Sequence, residues 1–146
     1  MKKTLLFVLA MCIAVGAGAV ETFVSFTPTG GGFAVVKGGK PVNVVCTPDD
    51  HEGVRMAAAN LAKDFGRVSG TDAALVSAPS GECVIVGSLK SGLVRQLVKA
   101  GKVDGKQLEG KTEKYLLQVV DNPVEGVSRA LVIAGSDKRG AIYGAY

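Results

Sequence analysis

The sequence has no tryptophan, a single histidine (His51) and only 5% aromatic residues. A carbohydrate-binding module usually presents a flat row of aromatics to its sugar, and that row is absent here. With one histidine, a serine or cysteine nucleophile would have to use His51 as its base. Neither Ser69 nor Ser136 sits in the strained strand-to-helix elbow that such a nucleophile needs. No basic run is interleaved with aromatics, and Lys2 and Lys3 contribute two of the net +4 charges. Nucleic acid is therefore not an expected partner. The chain has no internal repeat and no low-complexity linker.

What is present begins with an export signal. Met1-Lys2-Lys3 gives a positive start, and Thr4 to Val15 is an apolar run too short to span a bilayer comfortably. Ala17-Gly18-Ala19 has the small-x-small form that signal peptidase accepts. Residues 1–19 read as a signal peptide, so the protein is expected to be exported, periplasmic or extracellular, with no membrane attachment after cleavage. Two cysteines remain, Cys46 and Cys83, in a compartment that permits disulfides. If their strands run parallel, strand rise separates the thiols by roughly 13 Å, whereas a bridge needs Cα atoms within about 7 Å. Two buried free thiols are expected.

The mature chain alternates strand and helix patterns. Thr22–Phe26, Phe33–Val36, Val42–Cys46, Ala74–Ser77, Cys83–Gly87, Tyr115–Val120 and Ala130–Ala134 read as strands bounded by Gly, Pro and Asp turns. Val54, Ala58, Leu61, Phe65 and Val68 recur at helical spacing, with Thr47, Asp49 and Asp50 as capping candidates and Gly70 as the stop. Ser91 caps a second expected helix that runs to Gly101, and residues 103–114 read as a polar surface loop. The runs NVVC, CVIVG and ALVIAG are too apolar to face water on either side. The fold class is α/β (α+β): a mixed sheet flanked by helices.

Candidate chemistry is sparse. Gly135 and Gly140, four residues apart after the strand ALVIA, have the spacing of a phosphate loop. Ala141 and Ile142 stand where that loop needs Lys and Ser or Thr, so no nucleotide or other cofactor is expected. Asp49-Asp50-His51-Glu52 collects metal-competent side chains, but neighbours on a starting helix diverge, and no metal is expected. Asp121 and Asp137 each follow a predicted strand and are candidate acid–base carboxylates; as structural residues they would be a turn residue and a helix cap or ion-pair partner.

YLLQVVDNPVEGVSRALVIAGSDKRGAIYGAY, residues 115–146, closely resembles the end of the N-terminal domain of glycoside hydrolase family 115, the xylan α-1,2-glucuronidases. GVRMAAANLAKDFGRVSG (53–70) and LVKAGKVDGKQLEGKTEKY (97–115) are similar to that domain's first long helix and to its second helix with the following loop. The resemblance covers most of the mature chain and is most specific in ALVIAGSDKRG. It implies a secreted enzyme that removes glucuronic acid or its 4-O-methyl ether from xylan by inversion. In that family a small α/β domain precedes a TIM-like barrel carrying the general acid and base.

From this resemblance follow three expectations. Residues 20–140 form the accessory domain, and 141–146 open an apolar helix whose packing partner is a barrel outside this chain. The chain itself carries no catalytic residue. Asp137, Lys138 and Arg139 face the barrel as candidate substrate-binding residues for an anionic uronate; the competing reading is an interdomain salt bridge and cap. The implied partners are glucuronoxylan, bound through that barrel, and the barrel itself. The alternative function is a free-standing carbohydrate-binding or cell-envelope interaction domain.

Overall fold

Strands β3 (Asn43–Val45), β5 (Gly81–Ser88) and β7 (Val127–Gly135) form the parallel centre of a five-stranded sheet. They coincide with the three apolar runs of the sequence. The computed structural model describes residues 24–27 and 29–146; the signal-peptide reading and the start of the Thr22–Phe26 strand fall outside them. Short β4 (Leu75–Val76) and antiparallel β6 (Tyr115–Asp121) complete the order β4-β3-β5-β7-β6. A two-stranded hairpin, β1 (Val36–Lys37) with β2 (Lys40–Pro41), precedes the sheet.

Helices cover both faces because both faces of the central strands are apolar. Helix α1 (Glu52–Ser69) lies on one face, packing Val54, Ala58 and Ala62 against Val44, Val84, Val86 and Ile133. Helix α2 (Gly92–Lys99) lies on the other, packing Val94 and Leu97 with Cys83, Ile85 and Val132. Each fully buried Val, Leu or Ile contributes about 1.5–3 kcal/mol, and residues 83–88 of β5 are buried without a break. Helix α3 (Lys138–Ala145) joins α1 on its face.

Several boundaries differ from the sequence reading. Val24–Phe26 forms no strand, and the expected Phe33–Val36 strand is reduced to β1, since Phe33 and Val35 pack on α1's core as irregular chain. The buried face of α1 is set by small residues, Ala57, Ala58 and Ala62, which let it approach the sheet; Val68, read as part of the apolar stripe, is 80% exposed. The expected surface loop 103–114 contains a 3-10 turn (Gly105–Gln107) and sends Val103 and Leu108 into the core beside α2. Gly70 does adopt the left-handed conformation, φ 72°, that ends α1.

The two thiols stay free, and both are buried. Parallel pairing sets Asn43 beside Cys83, so Cys46 lies three residues farther along the sheet. The side chains also point to opposite faces, Cys46 toward α1 and Cys83 toward α2.

Candidate functional site

In open α/β sheets, ligands gather at the carboxyl ends of the strands where chain order reverses. Here β3 leads outward to β4 and β5 leads the other way toward β7, so the reversal falls between the loops after β3 and β5. The side chains of Thr47, Asp49 and Asp50 converge there. Asp50 is buried; its Oδ2 accepts the Ser88 N–H at 2.6 Å, and its Oδ1 accepts the Ser88 hydroxyl at 2.6 Å and the His51 N–H at 2.7 Å. Asp49 accepts the Gly92 N–H at 2.7 Å, and the hydroxyls of Thr47 and Ser91 are 2.9 Å apart. Hydrogen bonds from the Thr47 side chain and from the Gly92 N–H hold the Asp49 carboxyl below the usual carboxylate range.

This corrects the reading of Thr47, Asp49 and Asp50 as caps of the helix that follows them. The N-cap of α1 is His51, which makes no side-chain capping bond. The two aspartates instead reach about 40 residues along the chain to the β5–α2 turn. Asp49 places a carboxylate at the first turn of α2, where the helix dipole is positive, and Ser91 caps that helix as expected by accepting the Val94 N–H at 3.3 Å. The cluster is a latch between two loops, with both Asp50 oxygens and Asp49 Oδ2 bonded by protein donors. Among the described residues, no three of His, Cys, Asp or Glu are grouped to hold a metal ion.

The SDKRG segment lies at the same end of the sheet, after β7. Asp137 caps α3: Oδ1 accepts the Gly140 N–H and Oδ2 accepts the Glu113 N–H, both at 2.8 Å. These two bonds, Gly140's first, lower its carboxyl from the ordinary value. Arg139 pairs with Glu113 at 2.7 Å and donates to the Tyr143 hydroxyl at 3.0 Å, its guanidinium 5.8 Å from that ring's centre. Lys138 is exposed and takes no part in the ion pairs among the described residues; its aliphatic stem lies over Gly53 in the first turn of α1. Of the three predicted site residues, Lys138 alone presents an uncommitted charge.

Glu113, the partner of both Asp137 and Arg139, was not singled out by the sequence. It sits in a loop read as polar surface, and its φ of 56° carries no signature, since a glutamate rarely adopts that conformation. Ser88 was missed for a similar reason: its partner lies 38 residues away.

The fold also separates the two candidate acid–base carboxylates. β6 runs antiparallel to β7, and Asp121 is opposite Arg129, with which it forms a 3.2 Å ion pair. Asp137 follows the other end of β7. The six residue steps from Arg129 to Gly135 span roughly 20 Å. Inverting glycosidases hold their carboxyl groups at about 6.5–9.5 Å, so Asp121 and Asp137 cannot act as such a pair.

The opening turn of α3 explains the Gly135–Gly140 spacing. A Cβ on Gly135 would strike the backbone of Ala141, and one on Gly140 would strike the Lys114 carbonyl. The glycines let the helix settle directly onto β7 and the start of β6. Ala141 is fully buried there, so α3 starts at Lys138 and packs within this domain; its Tyr143 and Tyr146 are 46% and 77% exposed.

No protein-family profile and no curated protein matches the chain. Among solved structures, the fold is similar to part of a family GH115 4-O-methyl-α-glucuronidase, BtGH115A, with specificity for decorated arabinogalactans. The TM-score is 0.57 at 27% sequence identity, over 72% of this chain and 12% of that one. The mixed α/β fold is thus shared with one domain-sized part of a much longer glucuronidase.

Proposed function

We propose that this chain is the N-terminal accessory domain of an exported glycoside hydrolase that removes (4-O-methyl)glucuronic acid from polysaccharide side branches by inversion. The observation that carries the reading is the structural likeness to the GH115 enzyme at 27% identity. The site geometry supports an accessory role. Asp49, Asp50 and Asp137 accept backbone N–H bonds, and Asp121 is ion-paired at the opposite end of the sheet. The acid and base that cleave the glycosidic bond then belong to a barrel domain elsewhere in the polypeptide, and this domain is inactive alone.

Within that reading, the SDKRG edge faces the barrel. Asp137 and Arg139 are held by the helix cap and by Glu113, which positions the exposed Lys138 amine to meet an anionic uronate or a barrel carboxylate. Substrate reaches the protein through the barrel; the natural polymer is a glucuronoxylan, with decorated arabinogalactan as the alternative that the similar enzyme brings in.

The test is uronic acid release by the protein expressed from the whole reading frame, assayed on 4-O-methylglucuronoxylan and on arabinogalactan beside residues 1–146 alone. The proposal expects release by the longer protein and none by the shorter. No release from either polymer by a folded long protein, or release by residues 1–146, would refute it. In the active protein, an unchanged kcat/KM for Lys138→Ala and for Arg139→Ala would remove the substrate role of this edge.

A further inference from the structure

Charge is unevenly spread along the chain. Of its 17 basic and 13 acidic residues, seven and three lie between β5 and β6, in residues 89–114, and the rest of the chain holds ten of each. The whole formal charge of +4 is therefore carried by helix α2 and by the loop that Val103 and Leu108 anchor beside it. All seven cations are exposed, and none forms an ion pair among the described residues. Two of the three acids are already engaged, Glu113 with Arg139 and Asp104 in capping the 3-10 turn. An open groove of about 700 Å³ lies on this face. Leu89 and Val98, half-buried against the core, form its apolar part, while Arg95, Gln96, Lys99 and Glu109 supply its polar groups. Arg95 is held in place: its Nη1 donates to the carbonyls of Lys90 at 2.5 Å and Leu89 at 3.5 Å. Asp49, bonded to the nearby Gly92 N–H, forms no ion pair with it. Lys99 follows one helical turn later on the same side, about 6 Å along the axis.

We propose that this groove binds an acidic polysaccharide, a sugar chain with widely spaced carboxylates, on the sheet face opposite α1 and α3. Unpaired exposed cations call for an anionic partner, and the other features of the face select among anions. A dense polyphosphate would set negative charge against Glu109, and no Phe, Tyr or Trp lies within 89–114 to stack a base. No large hydrophobic side chain of that segment is exposed, so nothing is placed to enter a lipid surface. A sugar chain with occasional carboxylates suits the whole groove. Arg95 and Lys99 meet a carboxylate, Gln96 and Glu109 meet hydroxyls, and Leu89 and Val98 meet the C–H face of a ring. The choice of a uronate as the carboxylate rests on the reading above of an exported, glycan-processing protein. With no aromatic platform in the groove, affinity comes mainly from charge and falls as salt screens it.

The test is calorimetric titration of the chain, at low ionic strength, with 4-O-methylglucuronoxylan and with the same polymer after its carboxyl groups are reduced to alcohols. Binding is expected to the acidic polymer and to be lost with the reduced one. Lys99→Glu should weaken it about tenfold or more. Lys63→Glu makes the same change of charge at an exposed position of α1, on the opposite face, and should leave affinity within about twofold. Circular dichroism checks that both variants fold. No binding, or equal binding of the reduced polymer, overturns the proposal. Equal losses in the two variants would trace binding to net charge and overturn the site. Poly-glutamate has the carboxylates without the hydroxyls; if it binds as tightly as the xylan, the occupant is an acidic polypeptide and the proposal fails. The titration needs no catalysis, so its failure leaves the glucuronidase reading standing. Absence of uronic acid release by the longer protein leaves the binding result standing.

Discussion

Replacing Asp50 by alanine tests the latch between the β3–α1 and β5–α2 loops. The substitution removes the acceptor for two backbone N–H groups, of His51 and Ser88, and for the Ser88 hydroxyl, at a position only 6% exposed. The hydroxyl can rotate to another acceptor, but the two N–H groups cannot. Each buried donor left unsatisfied costs about 1–3 kcal/mol, so a loss of roughly 2–5 kcal/mol is expected. Asp50→Asn keeps one oxygen and turns an NH2 group toward a remaining donor, so its expected loss is about 1–3 kcal/mol. Ser88→Ala removes the donor to Asp50 and the acceptor of the Lys90 N–H, and should cost about 1–2 kcal/mol. Against a total stability on the order of 5–15 kcal/mol, these steps are resolvable by urea unfolding followed by circular dichroism. The double variant Asp50→Ala/Ser88→Ala should lose less than the sum of the single losses, because the two groups share a bond. An Asp50→Ala protein within about 0.5 kcal/mol of the parent would show that the latch does not hold these loops.

Three further outcomes follow from the same geometry. Gly140→Ala pushes a methyl group into the Lys114 carbonyl and should destabilise by at least about 1–3 kcal/mol in the same urea assay, while Lys138→Ala two residues away should stay within about 0.5 kcal/mol. Asp137 has a lowered folded-state pKa, so its stabilisation is present above the ordinary value of 3.8 and is lost as pH falls through the depressed value. Asp137→Asn should therefore be less stable than the parent at neutral pH and close to it in strong acid; a constant difference across that range would contradict the capping role. Burial pushes the Cys46 thiol up to about 12, and burial also raises Cys83, so neither should react with iodoacetamide at neutral pH until the protein unfolds. Rapid labelling of the native protein would contradict this.

The parts of the fold that were legible in the sequence are those where local pattern and burial agree. NVVC, CVIVG and ALVIAG are continuous apolar runs, and a run of that kind in a chain of this length has to be a strand covered on both faces. Ser91 and Gly70 act within one helical turn of their own position, so their capping roles could be read directly. The Asp49–Asp50 pair was misassigned because a short acidic side chain before a helix has two kinds of donor in reach. Local spacing points to its own helix, whereas the parallel pairing of β3 with β5 brings the β5–α2 turn closer. Nothing local marks Val103 and Leu108 as core residues either, since lysines, glycines and a glutamine surround them. The separation of Asp121 from Asp137 depends on strand direction, which the apolar pattern of YLLQVV leaves open.

The catalytic assignment meets its most direct test in the protein made from the whole reading frame, with Asp121→Asn and Asp137→Asn combined in one variant. If the hydrolytic carboxylates lie outside this domain, the folded variant releases uronic acid with kcat close to that of the parent. A fall in kcat of several orders of magnitude, with folding intact, would place the acid or the base within these 146 residues and contradict the account.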